Sequence, residues 1–124
     1  MIESEVFVFG SNRQGIHKAG AARDAYVLHG AKMFQGEGFA GNSYAIPTRY
    51  FAGLRGGGLV SLPLDEIEKH VKKFLHFAEA HASLRFQVTA LGTGRAGYKH
   101  EQIAPMFKGA PSNCSFPKEW ETYL

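Results

Sequence analysis

The chain has 124 residues, 44% of them hydrophobic and 20% charged, with a formal net charge of +3; these are values for one soluble globular domain, 1–124, that can bury a core without disulfides or metal. A single cysteine, Cys114, excludes an intrachain disulfide and any multi-cysteine metal site. The mildly basic balance suits a small anionic ligand as well as nucleic acid; no apolar run approaches the ~20 residues of a membrane span, and Glu3 and Glu5 interrupt a signal-peptide-like start, so a cytoplasmic protein with no membrane partner is expected.

In chain order, Val6–Phe9 is a short apolar run that reads as a buried strand. A helix follows from about Ala19 to His29, with Ala22, Ala25, Tyr26 and His29 on one side and Gly30 just past its end. "QGEGFAGNS", residues 35 to 43, reads as loop, and "SYAIPT" as a second strand stopped by Pro47. Arg49 to Gly58 reads as a glycine-rich loop, with glycines that would permit a lid. Ile67, Val71, Phe74, Leu75 and Ala78 mark the clearest amphipathic helix, with Pro63 near its start and Lys69, Lys72 and Lys73 on its solvated face. "FQVTAL", Phe86 to Leu91, is the third strand. After "GTGRAGY" comes a helix from about Glu101 to Phe107, which Pro105 limits to a turn or two. "CSF" is a final strand, in which Cys114 reads as a buried structural thiol, because no His or Asp lies nearby in sequence. Strands alternating with helices imply an α/β fold, a mainly parallel sheet covered on both faces.

In such sheets ligands bind at the carboxyl ends of the strands. Glycine-rich loops follow the strands Val6–Phe9 and Phe86–Leu91, so both loops fall at one sheet edge and can close on one ligand. In the first, "GSNRQGIHKAGAA", small residues at Gly20, Ala21 and Ala22 let a helix N-terminus, with its unpaired N–H donors, approach a phosphate; they equally permit tight helix–sheet packing. Asn12 could bind a ribose hydroxyl or cap a turn, and His17 could contact a ligand or only solvent. In the second, Gly92, Gly94 and Gly97 build a backbone nest for an anion, but neither a P-loop nor a dinucleotide fingerprint is present. Glu37 is a candidate catalytic carboxylate with no second carboxylate near it in sequence. Tyr44 and Tyr98 could stack on a base or belong to the core. The six histidines show no metal-ligand spacing, so no metal and no cofactor are expected.

The strand ending in Asn12, the small-residue helix start Gly20-Ala21-Ala22 and the late loop "ALGTGRAGYKHEQIAPMF" together resemble a macrodomain. Over Val6 to Phe107 the chain is similar to a group of small bacterial and phage macrodomain-like proteins, with a pattern close to "FVFGSN-x-x-G-x-H-x-x-GAA", "GQGEG", "SYAIPT" and "G-x-G-x-AGY". The resemblance implies a three-layer α/β/α fold that binds ADP-ribose or a related nucleotide. It implies Asn12 at the distal ribose, the loop from Gly15 to Ala21 around one phosphate, Gly92 to Gly97 around the diphosphate, and Tyr98 beside the distal ribose. The pattern departs in three places: the aspartate that recognises adenine in larger macrodomains has only Glu3 or Glu5 as a substitute, "GIHKAG" replaces the three consecutive glycines of the first loop, and the glutamate pair of poly(ADP-ribose) glycohydrolases is absent, "QGEG" holding one carboxylate.

The candidate ligand-binding residues are therefore Gly10, Ser11, Asn12, Gly15, His17, Gly20 and Ala21 with Gly92, Thr93, Gly94, Arg95, Ala96, Gly97 and Tyr98; the catalytic candidates are Asn12, His17 and Glu37. Three functions compete. The first is a binder of ADP-ribose or a related nucleotide, with hydrolysis of an ADP-ribosyl bond left open, and the second is a reader of a nucleotide or an ADP-ribosylated partner without turnover. The third, least favoured, is a nucleic-acid binder using Arg13, Lys18, Arg49, Arg55 and Lys99. The residues leave the base, the leaving group and the oligomeric state open.

Overall fold

Residues 5–52 and 58–124 are described by the structure, a computed structural model. Its first strand, β1 (Glu5–Asn12), lies at the centre of the sheet. Successive side chains of a strand point to opposite faces. Val6 and Val8 therefore enter a large core, while Phe9, with Phe7 beside it, enters a smaller one on the other face. Burial on both sides is why the run is apolar without alternation.

A helix, α1 (Gly20–Leu28), covers the smaller core with Ala22 and Ala25, which pack against Phe9 and Ala45. The other face is covered by α2 (Leu64–Ala80), whose Ile67, Val71, Phe74 and Ala78 are buried at helical spacing; burying a large apolar side chain there contributes roughly 1.5–3 kcal/mol. Helices thus lie on both faces of a six-stranded sheet, ordered β2–β3–β1–β5–β6, with β4 against β3. The strands β3 (Ser43–Phe51), β5 (Arg85–Val88) and β6 (Cys114–Ser115) extend the parallel part; β2 (Gly38–Ala40) and β4 (Leu59–Ser61) pair antiparallel with β3. The chain is an α/β protein with a mostly parallel sheet, as its pattern predicts.

The departures from the pattern are local. Within the expected loop 35–43, Gly38–Ala40 forms β2, joined to β3 by the two-residue turn Gly41-Asn42. Gly41 has φ +57, so the turn requires a left-handed residue there. Pro47 does not stop β3. It falls between the stretch that pairs with β2 and the stretch that pairs with β4, beside the register shift at Ser11/Asn12, where a missing N–H is tolerated. The expected loop from Arg49 is strand through Phe51 and strand again from Leu59, and its residues 53–57, with Arg55, lie outside the described residues. Tyr26 is exposed rather than packed, and Leu75 is only half-buried.

After β5, α3 (His100–Ile103) passes into a 3-10 turn over Ala104–Phe107, the shortening that Pro105 imposes. A second 3-10 segment, Lys118–Tyr123, buries Trp120 completely, and its indole N–H donates to His100 Nδ1 at 2.9 Å. Cys114 sits in β6, half-buried, and burial pushes its thiol up to about 11. At pH 7.5 iodoacetamide should therefore alkylate Cys114 at least ~10-fold more slowly than a free thiol. A rate equal to that of glutathione would refute this.

Candidate functional site

The carboxyl ends of β1 and β3 and the segment after β5 meet at one edge of the sheet. Here β1 is flanked by β3 on one side and β5 on the other, reached by helices on opposite faces, so the strand order reverses at β1. A cleft of about 510 Å³ opens at this point. Its walls are Gly10–Asn12 from β1, Lys18–Ala22 leading into α1, Thr48, Arg49 and Phe51 from β3, and Thr89–Gly92 with Gly94–Ala96 after β5. The two glycine-rich loops therefore face one space, and β3 contributes a third wall.

The backbone is open there. No side chain caps α1, whose N-cap is Ala19, so the first N–H groups of that helix have no capping partner. In the second loop the N–H groups divide in two. Gly97 N–H donates to Gly94 O at 3.0 Å, Tyr98 N–H to Gly92 O at 3.0 Å and Thr93 N–H to Ala90 O at 3.4 Å. Among the described residues nothing accepts from the N–H groups of Gly92, Gly94, Arg95 or Ala96, the four that line the cleft. Ser61 Oγ, donating to Ala96 O at 2.5 Å, ties this loop to β4.

The hydroxyls around the cleft are already engaged. Ser11 Oγ donates to Gly36 O, Thr48 Oγ1 to Ser11 O at 3.3 Å, and Thr89 Oγ1 to Val8 O at 2.8 Å. The charged side chains that line it are Lys18, Arg49 and Arg95; no carboxylate or imidazole is among the lining residues described. Arg49 has its pKa lowered, first by partial burial and then by the nearby charge of Arg95. The arrangement can neutralise and hydrogen-bond an anion.

The candidate residues divide accordingly. Gly10, Ser11, Asn12, Gly20, Ala21, Gly92, Gly94, Arg95 and Ala96 line the cleft; Gly15, His17, Glu37, Thr93, Gly97 and Tyr98 do not. Asn12 is only 4% exposed and spends both ends of its amide on one residue: Nδ2 donates to Ile16 O and Oδ1 accepts from Ile16 N–H, each at 2.9 Å. It braces the first loop. His17 lies beneath that loop, edge-on to Phe9, with Nε2 3.1 Å from Gln35 O. Glu37 belongs to the other flank, where its carboxylate meets His70 Nδ1 at 2.5 Å and Lys73 Nζ at 3.5 Å. Tyr98 donates its hydroxyl to Leu62 O at 2.6 Å, and Tyr44 is core, packed on Phe74 and Phe77. Thr48, Phe51, Leu59 and Thr89 also line the cleft from outside the two loops, their signal being position at the ends of strands, and Arg49, expected in a basic patch, joins them there.

Of the residues a nucleic-acid binder would use, Arg13 is paired with Glu66 and lies over the Tyr50 ring, Lys18 and Arg49 line the cleft, Lys99 is exposed, and Arg55 lies outside the described residues. Among the described residues no group of His, Cys, Asp and Glu is arranged to hold a metal, and no helix is long and apolar enough to cross a membrane.

No family model matches the sequence, and no curated protein matches it either. A solved structure, that of a protein of unknown function from Bacteroides thetaiotaomicron, is similar over 94% of this chain and 87% of its own, with a TM-score of 0.56 and 17% identity. At that identity the likeness speaks for the fold alone.

Proposed function

We propose that this chain is a macrodomain-like three-layer protein that binds ADP-ribose, or a related nucleotide carrying a diphosphate, in the cleft between its two glycine-rich loops, and that it acts as a reader without turnover. The supporting observation is the lining itself: among the described residues it has unpartnered N–H groups from Gly92, Gly94, Arg95 and Ala96, the uncapped start of α1, three cationic side chains and no carboxylate. Helix N-termini and glycine-loop nests hold phosphates with dipoles already in place. The macrodomain resemblance at Asn12, Gly20–Ala22 and the late loop supplies the nucleotide part of the reading. Against turnover stands the position of Glu37, occupied by His70 and Lys73 away from the cleft.

Calorimetric titration with ADP-ribose should give micromolar affinity, about −8 kcal/mol, and an ADP-ribosylated protein incubated with the chain should remain intact. Absence of heat at millimolar ADP-ribose would sink the nucleotide reading. Release of free ADP-ribose would turn the reader into a hydrolase.

A further inference from the structure

We propose that Arg49 and Arg95 form a two-guanidinium clamp that makes the cleft select for ligands carrying two charged phosphate groups over singly phosphorylated and neutral ones. The two residues come from opposite sides of β1. Arg49 stands on β3, in register with Asn12, and Arg95 stands on the loop after β5; both line the cleft. Neither guanidinium has an ion-pair or hydrogen-bond partner among the described residues. Arg13, Lys72 and Lys73 are paired with Glu66, Glu68 and Glu37, but what distinguishes Arg49 and Arg95 is that both line the cleft.

A half-buried guanidinium with a second cation near it and no counter-ion among the described residues is disfavoured in its charged form. Arg49 registers this, its charged form being disfavoured by burial and then by Arg95. Backbone N–H groups orient phosphate oxygens but carry no net charge, so they leave this repulsion in place. An anion with two charged phosphates relieves it at both ends, and guanidinium–phosphate hydrogen bonds are among the stronger ones available. A single phosphate relieves one end only, and a nucleoside relieves neither. The clamp rests on the nucleotide reading for the identity of the ligand, but not for its charge.

The test titrates the intact chain and its Arg49→Gln, Arg95→Gln and double variants with inorganic pyrophosphate, inorganic phosphate, adenosine and ADP-ribose, melting temperatures being recorded alongside. The wild type should bind pyrophosphate and ADP-ribose at least tenfold more tightly than phosphate or adenosine. The double variant should lose that preference and melt no lower than the wild type. Should Arg49→Gln disturb the strand, Arg95→Gln alone, on an exposed loop residue, should still cost severalfold. If the double variant binds pyrophosphate and ADP-ribose within threefold of the wild type, the clamp is wrong and the nucleotide reading is untouched. Arginine-dependent binding of pyrophosphate without ADP-ribose supports the clamp and overturns the nucleotide reading. Binding of neither by a folded wild type overturns both.

Discussion

Gly15→Ala should destabilise the protein by roughly 3–5 kcal/mol. Gly15 has φ +72, a conformation that costs a residue with a Cβ about 1–2 kcal/mol. The added atom would also stand 2.4 Å from Gln35 N and 2.5 Å from Phe34 C, and both are backbone atoms that cannot swing aside. The two strands of chain are joined there as well, Phe34 N–H donating to Gly15 O at 2.8 Å. Relief would have to push residues 34–36 away from β1, breaking the bond from Ser11 Oγ to Gly36 O. Small domains hold only ~5–15 kcal/mol in reserve, so urea unfolding should show a large drop in midpoint. Gly94→Ala is the control, because nothing lies within 4 Å of its added Cβ and its φ is ordinary; it should change stability by less than ~0.5 kcal/mol. Equal midpoints for Gly15→Ala and the wild type would show that this backbone contact is not as tight as described.

Asn12→Ala should cost about 2 kcal/mol of stability in the absence of any ligand, and should weaken ligand binding at least tenfold. The side chain is buried and closes a two-bond ring with the backbone of Ile16, so its loss leaves the Ile16 N–H and C=O without these partners. The loop that carries Lys18 and leads into α1 is then no longer held in place. A residue whose role was only to touch the distal ribose would behave differently: its removal would weaken binding and leave the unliganded melting curve unchanged. Measuring the unliganded protein first therefore separates bracing from contact. A melting temperature within a degree of the wild type would assign Asn12 to the ligand instead.

Salt dependence, a natural way to tell a nucleic-acid binder from a nucleotide binder, loses much of its power here. With Lys18, Arg49 and Arg95 lining the cleft, even a compact nucleotide should bind less well as salt rises. Size is the better discriminator. A cleft of about 510 Å³ suits a small molecule.

How much of this is legible before folding follows from the range of each interaction. The apolar run Val6–Phe9, the helical spacing of Ile67, Val71, Phe74 and Ala78, and the shortening of the last helix at Pro105 are written in residues within a few positions of one another. So is the placing of one glycine-rich loop after β1 and another after β5. The β2–β3 hairpin was also legible, for Gly41-Asn42 between Ala40 and Ser43 is a two-residue turn signal; the density of glycines around it hides it.

By itself, then, the sequence determined an alternating α/β chain with two glycine-rich loops at one edge of a mostly parallel sheet, because local periodicity and the loop-after-strand order suffice for that. Only the tertiary structure decided what fills the site. It brought Arg49 of β3 beside the loop of Arg95, turned Asn12 inward onto Ile16, and drew Glu37 to His70 on α2, 33 residues further along the chain. The physical reason is the same in each case. A side chain's partner is chosen by sheet register and helix packing, which join residues far apart in sequence, and no pattern of neighbouring residues records that choice.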